Sequence, residues 1–227
     1  MTSYVLVHGG FVGGWYWDDV AGLLEKAGHQ VDVVEQLPSA GRDPAALGGL
    51  AEDVAVVRRH VESAGEPVVL VGHSYAGMLL TELADHPDVA HSVYLAAAWP
   101  ARGQSMVDLF GGELPSWLVA EPDGTARAVD DLELVRQTLC ADVEKDRAEA
   151  ELRRMVSQSA ASVSTPSAAP DRTHPVTYIV CENDQALPPP VQEQWAAAAD
   201  HVERLASSHQ PMASMPDELA AVLGRIR

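Results

Sequence analysis

The stretch Val68-Val69-Leu70-Val71-Gly72-His73-Ser74-Tyr75-Ala76-Gly77 constrains this chain more than any other. Its four leading apolar residues read as a strand buried on both faces, and a helical pattern over 75–85 follows with no room for a loop. A turn this sharp forces its serine into a strained backbone conformation, so the residues two before and two after it must be small, as Gly72 and Ala76 are. Such an elbow lifts the Ser74 hydroxyl clear of the sheet. It also leaves the Tyr75 amide at a helix N-terminus, where it can donate to a developing oxyanion. A serine that merely caps an ordinary helix is the competing reading, and the strand-to-helix context argues against it.

Short apolar runs alternate with helical patterns through the first hundred residues, the signature of a parallel sheet covered by helices. Strands are expected at 4–7, 31–34, 68–71 and 92–96, with helices over 15–27, 44–63 and 75–85. From 101 to 173 the pattern changes to polar helices, a Gly111-Gly112 break and a Ser/Ala/Pro stretch at 157–170 without strand signal. Strand signal returns at 175–180, then a helix over 189–199, a short strand at 202–205 and a final helix over 217–227. The expected architecture is an α/β core of about six mostly parallel strands, formed by 1–100 and 174–227, with a small helical lid inserted over 101–173.

A length of 227 residues suits one domain, and 47% hydrophobic with 21% charged residues supplies a sizeable core. Lys and Arg total 15 against 33 Asp and Glu, a formal net charge of −18 that disfavours nucleic acid or an anionic membrane as partner and suits a neutral, apolar small molecule. The N-terminus carries no basic segment before its first apolar run, and no apolar run reaches the roughly 18 residues of a membrane span, so the expected location is cytoplasmic. Whether the chain pairs as a homodimer is left open. Cys140 and Cys181 read as two buried thiols rather than a disulfide framework.

A second glycine-rich feature, His8-Gly9-Gly10-Phe11, directly follows the first strand. It matches the loop that supplies the other oxyanion amide in hydrolases with a serine elbow. A dinucleotide-binding turn competes here, because Glu35 closes the second strand, but in the register His8, Gly10, Gly13 the first required glycine is a histidine that would crowd the pyrophosphate. A serine hydroxyl needs a histidine to take its proton and a carboxylate to orient that histidine. Asp184, just after the 175–180 strand, and His209, before the last helix, give the chain order Ser, Asp, His; Glu182 is the nearest rival carboxylate. The remaining histidines, His29, His60, His86, His91, His174 and His201, follow no metal-ligand spacing.

Val5-Leu6-Val7-His8-Gly9-Gly10 with Trp15 and Trp17, Gly72-His73-Ser74, Tyr94-Leu95-Ala96-Ala97-Ala98 leading to Gly103-Gln104-Ser105, Tyr178-Ile179-Val180-Cys181, Leu187-Pro188-Pro189, and His209 with Met212 and Pro216 together resemble the α/β-hydrolase family of plant methylesterases, hydroxynitrile lyases and their bacterial relatives. The resemblance covers almost the whole chain outside 110–173. It implies the α/β-hydrolase fold, Ser74 as nucleophile, His209 as base, Asp184 as third member, the Gly10 and Tyr75 amides as oxyanion hole, and neither metal nor organic cofactor. The lyases of this family carry a lysine just after the catalytic histidine; Gln210 stands there in this chain, which favours ester hydrolysis. Phe11, Trp99, Met106, Trp117, Leu187 and Met212 lie on or beside the segments that should roof the serine and are the expected lining of an apolar pocket.

The expected function is therefore hydrolysis of a carboxylic ester, in particular a methyl ester of a small aromatic or polyketide-like acid. A cofactor-free lyase, cyclase or decarboxylase on the same fold is the first alternative, since fold does not fix function. A small-molecule binding protein with a vestigial triad is the second.

Overall fold

The computed structural model describes residues 1–226. Along the chain, β1 (Ser3–Val7) leads through a 3-10 turn (Gly14–Trp17) to α1 (Asp18–Lys26), β2 (Gln30–Val34) and a short β3 (Ala40–Gly41). Then come α2 (Leu50–Ser63), β4 (Val68–His73), α3 (Ala76–Glu82) and β5 (Val89–Leu95). The middle segment holds α4 (Met106–Leu109), β6 (Leu118–Ala120), β7 (Thr125–Ala128), α5 (Leu132–Leu139), α6 (Lys145–Leu152), β8 (Ser157–Ser159) and α7 (Ala160–Ser164). The chain closes with β9 (Val176–Cys181), α8 (Pro189–Ala196), β10 (His201–Leu205), α9 (Pro211–Ser214) and α10 (Pro216–Leu223). Arg227, the end of the last expected helix, lies outside the described residues.

Six strands form one sheet in the order β10-β9-β5-β4-β1-β2, and every pairing in it is parallel. The apolar runs explain this, because strands covered by helices on both faces need apolar residues at every position. Val5, Val7, Val68 and Leu70 pack under α2, α3 and α8; Tyr4, Leu6, Val69 and Val71 pack on the other face against α1 and α10. Each such side chain, fully withdrawn from water, contributes roughly 1.5–3 kcal/mol. Cys140 and Cys181 are buried and free.

The middle segment differs from its expectation. Beside its helices it carries β6, β7 and β8, which join β3 in a four-stranded antiparallel sheet, order β3-β8-β7-β6. The β6–β7 hairpin turns on Pro122-Asp123-Gly124: Gly124 has φ +82°, and the Thr125 amide and hydroxyl donate to Asp123 Oδ1 at 3.1 and 2.7 Å. A Pro-Asp-Gly turn is itself a turn signal. The strands it joins, of three and four residues, are too short to show alternation, which is why periodicity alone reads them as helix or coil. A smaller core of Val135, Leu139, Cys140, Val143, Ala148 and Leu152 holds the helices of this segment together. The long second helix is also interrupted: a 3-10 turn (Pro44–Ala46) precedes it, and α2 starts only after Gly48-Gly49, with the Gly49 amide donating to Glu52 at 2.8 Å.

The tightest steric point in the sheet-to-helix connection is Gly77. A Cβ there would lie 1.9 Å from the Ala98 carbonyl oxygen, whereas one on Gly22, in the middle of α1, would meet nothing within 4 Å. Gly77→Ala is therefore expected to lower the unfolding free energy by more than about 3 kcal/mol or to prevent folding. Gly22→Ala should raise it by roughly 0.5–1 kcal/mol through helix propensity. Urea unfolding of both variants checks this, and equal effects would refute the steric assignment.

Candidate active site

Ser74 sits between β4 and α3 with φ +55°, the left-handed conformation that a non-glycine residue holds only under constraint. Three backbone bonds supply the constraint. The Ser74 amide donates to Leu95 O at 3.2 Å, and the Ser74 carbonyl accepts from the Gly77 and Ala98 amides at 3.1 and 3.0 Å. A Cβ on Gly72 would come within 2.5 Å of the Leu80 methyl, which would have to move, in keeping with the small residue expected two before the serine, and Gly77, whose Cβ would meet backbone, is a stricter steric requirement that the spacing argument did not isolate.

His209, on the loop between β10 and α9, brings its Nε2 to 3.0 Å from Ser74 Oγ. Its Nδ1 lies 2.7 Å from Asp184 Oδ2. Asp184 is fully buried, and its carboxylate also accepts from the Ala186 and Leu187 amides, both at 2.8 Å, and from Gln192 Nε2 at 2.9 Å. Four donors thus fix the carboxylate that fixes the ring. Glu182, the rival carboxylate, is exposed and does not reach His209. His73 adds a further restraint: its Nε2 lies 2.8 Å from the His209 carbonyl oxygen, which can only accept, so Nε2 carries the proton.

The Gly10 and Tyr75 amides border the same cavity, and neither donates to another group among the described residues. The next amide, Phe11, is occupied: it donates to Gln158 Oε1 at 3.2 Å, with Phe11 held at φ +67°. Gln158 is buried on β8, and its Nε2 donates to Ser39 Oγ and Ser162 Oγ, both at 2.7 Å. Ser39 in turn donates to Asp53 through both amide and hydroxyl, and the Tyr75 hydroxyl donates to Asp53 at 2.7 Å. One buried network therefore links α2, the elbow, the middle segment and the glycine loop.

Beside Ser74 lies a mostly apolar cavity of about 210 Å³. Phe11, Met106, Trp117 and Leu187 line it as expected, and Phe11 meets Trp117 edge to face with ring centroids 5.5 Å apart. Trp99 and Met212 do not. Trp99 stacks on Tyr94, 4.6 Å and 16° from parallel, beneath the sheet-side core, and Met212 is buried in the core on the α1 and α10 side. Both lie beside the site in sequence, but the short connections that carry them turn their side chains inward. Tyr16, Phe110, Leu114, Met155, Gln158 and Gln210 line the cavity without having been expected there. Gln210 was legible as the neighbour of His209, whereas Gln158 lies in a polar stretch that carries no pattern. Among the described residues no cluster of His, Cys, Asp or Glu could hold a metal ion, and no helix is long and apolar enough to cross a membrane.

Comparison with known proteins gives the same fold. The alpha/beta hydrolase family matches residues 4–222. A carbendazim hydrolyzing esterase of Nocardioides sp. is 32% identical over 250 aligned positions, covering 100% of both chains. A putative chloroplastic methylesterase 13 of Arabidopsis thaliana is 38% identical over 119 residues, 50% of this chain and 27% of its own. Among solved structures, a pyrethroid hydrolase from Sphingobium faniae JZ-2 superposes with a TM-score of 0.85 at 26% identity, covering 99% of this chain and 96% of its own.

Two histidines behind the serine bear on stability. His8 donates Nδ1–H to Gly9 O at 2.8 Å and is held neutral by burial, its pKa lowered to about 4. Burial, with the neighbouring His209 ring adding to it, also lowers His73 well below the usual value. In the unfolded chain both rings titrate near 6.5, so below that pH the unfolded state binds more protons than the native state. Their contribution to stability is full above about pH 6.5 and is lost as pH falls from there toward about 4. Urea midpoints should fall between pH 6.5 and 5, by on the order of 2 kcal/mol per ring at pH 5. A flat profile over that interval would contradict the neutral assignment.

Proposed function

The chain belongs to the alpha/beta hydrolase family, and from that premise we propose that it is a serine esterase acting on a neutral, largely apolar carboxylic ester. The observation that carries the proposal is the continuous relay from Ser74 Oγ through His209 to the buried Asp184, opening on an apolar cavity bordered by two free amides. Its similarity to proteins named as esterases supports the same reaction class.

In this reading Ser74 Oγ attacks the ester carbonyl while His209 Nε2 takes its proton. Asp184 keeps the ring oriented and stabilises the imidazolium that forms. The carbonyl oxygen becomes an oxyanion held by the Gly10 and Tyr75 amides, the arrangement in which preorganised donors stabilise the developing charge most. As the tetrahedral intermediate collapses, the alkoxy group leaves with the proton returned by His209, and the acyl group remains on Ser74. Water, deprotonated by the same ring, then releases the acid. Ring-lined walls at Phe11 and Trp117 suit a small aromatic or polyketide-like acyl group, and a methyl ester supplies a leaving group small enough for the enclosed serine. A neutral Gln210 beside His209, rather than a cation that would stabilise a departing anion, favours hydrolysis over lyase chemistry.

The test is turnover of p-nitrophenyl acetate and butyrate, with labelling by a fluorophosphonate probe. Wild type should show a burst, turnover and labelling, and Ser74→Ala should lose all labelling and at least about 10⁴-fold in kcat. Absence of labelling in folded wild type would overturn the serine mechanism. Asp184→Asn should cost about 10⁴-fold in kcat, and Glu182→Gln less than about threefold. A larger loss for Glu182→Gln would reverse the assignment of the third member.

A further inference from the structure

On the mostly apolar wall of the cavity, which also carries Ser74, His209, Gln158 and Glu113, two polar atoms stand out. Tyr16 and Gln210 both line it and are 6% and 3% exposed, and neither the Tyr16 hydroxyl nor Gln210 Oε1 has a hydrogen-bond partner among the described residues. Native proteins leave few buried polar atoms unpaired, and each one left so lowers stability. The Gln210 side chain lies close enough to the Tyr16 phenol to act on it, but no contact between the two reaches hydrogen-bond geometry, and Gln210 Oε1 is left without a donor.

Neither side chain is needed by the backbone around it. The Gln210 carbonyl accepts from the Ala213 and Ser214 amides at 3.0 and 3.2 Å, so the main chain alone starts α9. Tyr16 is held by its ring, packed 4.3 Å from Trp15, over which the Arg154 guanidinium lies at 3.8 Å. A phenylalanine would keep that packing. Burial first, and the nearby Glu151 carboxylate next, push the Tyr16 phenol well up, so the group is a neutral donor.

We infer that Tyr16 and Gln210 form a polar subsite for a neutral substrate group that both accepts and donates a hydrogen bond, such as a hydroxyl or an amide. The Tyr16 hydroxyl donates to the ligand's oxygen, and the ligand's own O–H or N–H donates to Gln210 Oε1. Glu151 and Arg154 act on the Tyr16 phenol with opposite sign, so neither charge is singled out there, and an ion of either sign would lose its hydration to apolar walls. That the ligand is an ester rests on the esterase reading above; the complementarity of the two atoms does not. An ester lacking the group would leave both atoms unpaired in the complex, which is how a polar subsite rejects an apolar analogue.

The experiment uses p-nitrophenyl esters of phenylacetic, 4-methoxyphenylacetic, 3-hydroxyphenylacetic and 4-hydroxyphenylacetic acids. For wild type, kcat/KM of at least one hydroxy ester should exceed that of the phenylacetate by about five- to tenfold, while the methoxy ester, which only accepts, gains nothing. In Tyr16→Phe and in Gln210→Leu the hydroxy-to-plain ratio should fall toward one. Absence of any hydroxy preference in wild type, or its survival in both variants, overturns the inference. Calorimetric titration of Ser74→Ala with the methyl esters of the same acids reads the subsite without turnover. Should wild type neither turn over nor take the fluorophosphonate label, tighter binding of a hydroxy ester, lost in Ser74→Ala/Tyr16→Phe, upholds the subsite while the esterase reading fails. Equal or absent binding overturns the subsite. The Tm of Tyr16→Phe should be unchanged or higher; a fall of more than about 4 °C would mean that the hydroxyl serves the fold, and would overturn the inference.

Discussion

The site depends on one strained residue. Ser74 at φ +55° is held by its own amide and carbonyl, which bond to Leu95, Gly77 and Ala98 across the ends of two neighbouring strands. Strain of this kind costs on the order of 1–3 kcal/mol and persists only where its surroundings over-determine it. Here they do, because the sheet behind the serine is apolar on both faces and α3 packs against it without a gap, as the contact a Cβ on Gly77 would make with Ala98 O demonstrates. Relaxing the serine would require moving a core helix. The hydroxyl position and the free Tyr75 amide are both consequences of that geometry.

Parallel strands bring the rest of the constellation to the same edge. The Gly10 loop follows β1, Ser74 follows β4, Asp184 follows β9 and His209 follows β10, so all four stand at the carboxyl ends of strands of one sheet. That edge is where open α/β sheets present their loops to ligands. The network running Phe11, Gln158, Ser39, Asp53, Tyr75 ties the middle segment into this edge from the opposite side. Gln158 occupies the Phe11 amide, whereas the Gly10 amide before it, on a residue that borders the cavity, donates to no group among the described residues. The segment over 101–173 thus helps to set which backbone donors are available, besides walling the cavity.

The elbow and the order Ser, Asp, His were legible in the sequence because they rest on local sterics and chain order, which need no knowledge of packing. The strands were legible for a related reason, since four or more apolar residues in a row have few other places to go. Trp99 and Met212 show where this reasoning ends. Position in sequence beside a loop says nothing about which face a side chain takes, and here both face the core. Tyr16 follows the opposite course, sharing its aromatic neighbours' helical pattern yet reaching the cavity. Gln158 and the β6–β7 hairpin were missed because strands of three or four residues are too short to show periodicity; only the Pro122-Asp123-Gly124 turn marked the hairpin.

Among the described residues, some of the polar atoms left unpaired gather at the cavity, while Trp17 Nε1, His29 Nδ1, Glu151 Oε2 and His174 Nδ1 are unpaired without lining it. His8 Nε2, the Tyr16 hydroxyl, Gln210 Oε1 and the Gly10 and Tyr75 amides all lie on or immediately behind the cavity wall. Each lowers the stability of the protein as it stands, and together they concentrate that cost where a ligand can relieve it. The two-faced apolar core supplies the surplus that makes such a site tolerable. Electrostatics point the same way: a net charge of −18 would repel anionic ligands at long range, and the cavity offers a ligand apolar walls and directed hydrogen bonds in place of a counter-charge. If the proposed neutral ligand enters this cavity, recognition would be a matter of matching the few unmet donors and acceptors after apolar contact has excluded water, and discrimination between similar molecules would turn on single hydrogen bonds.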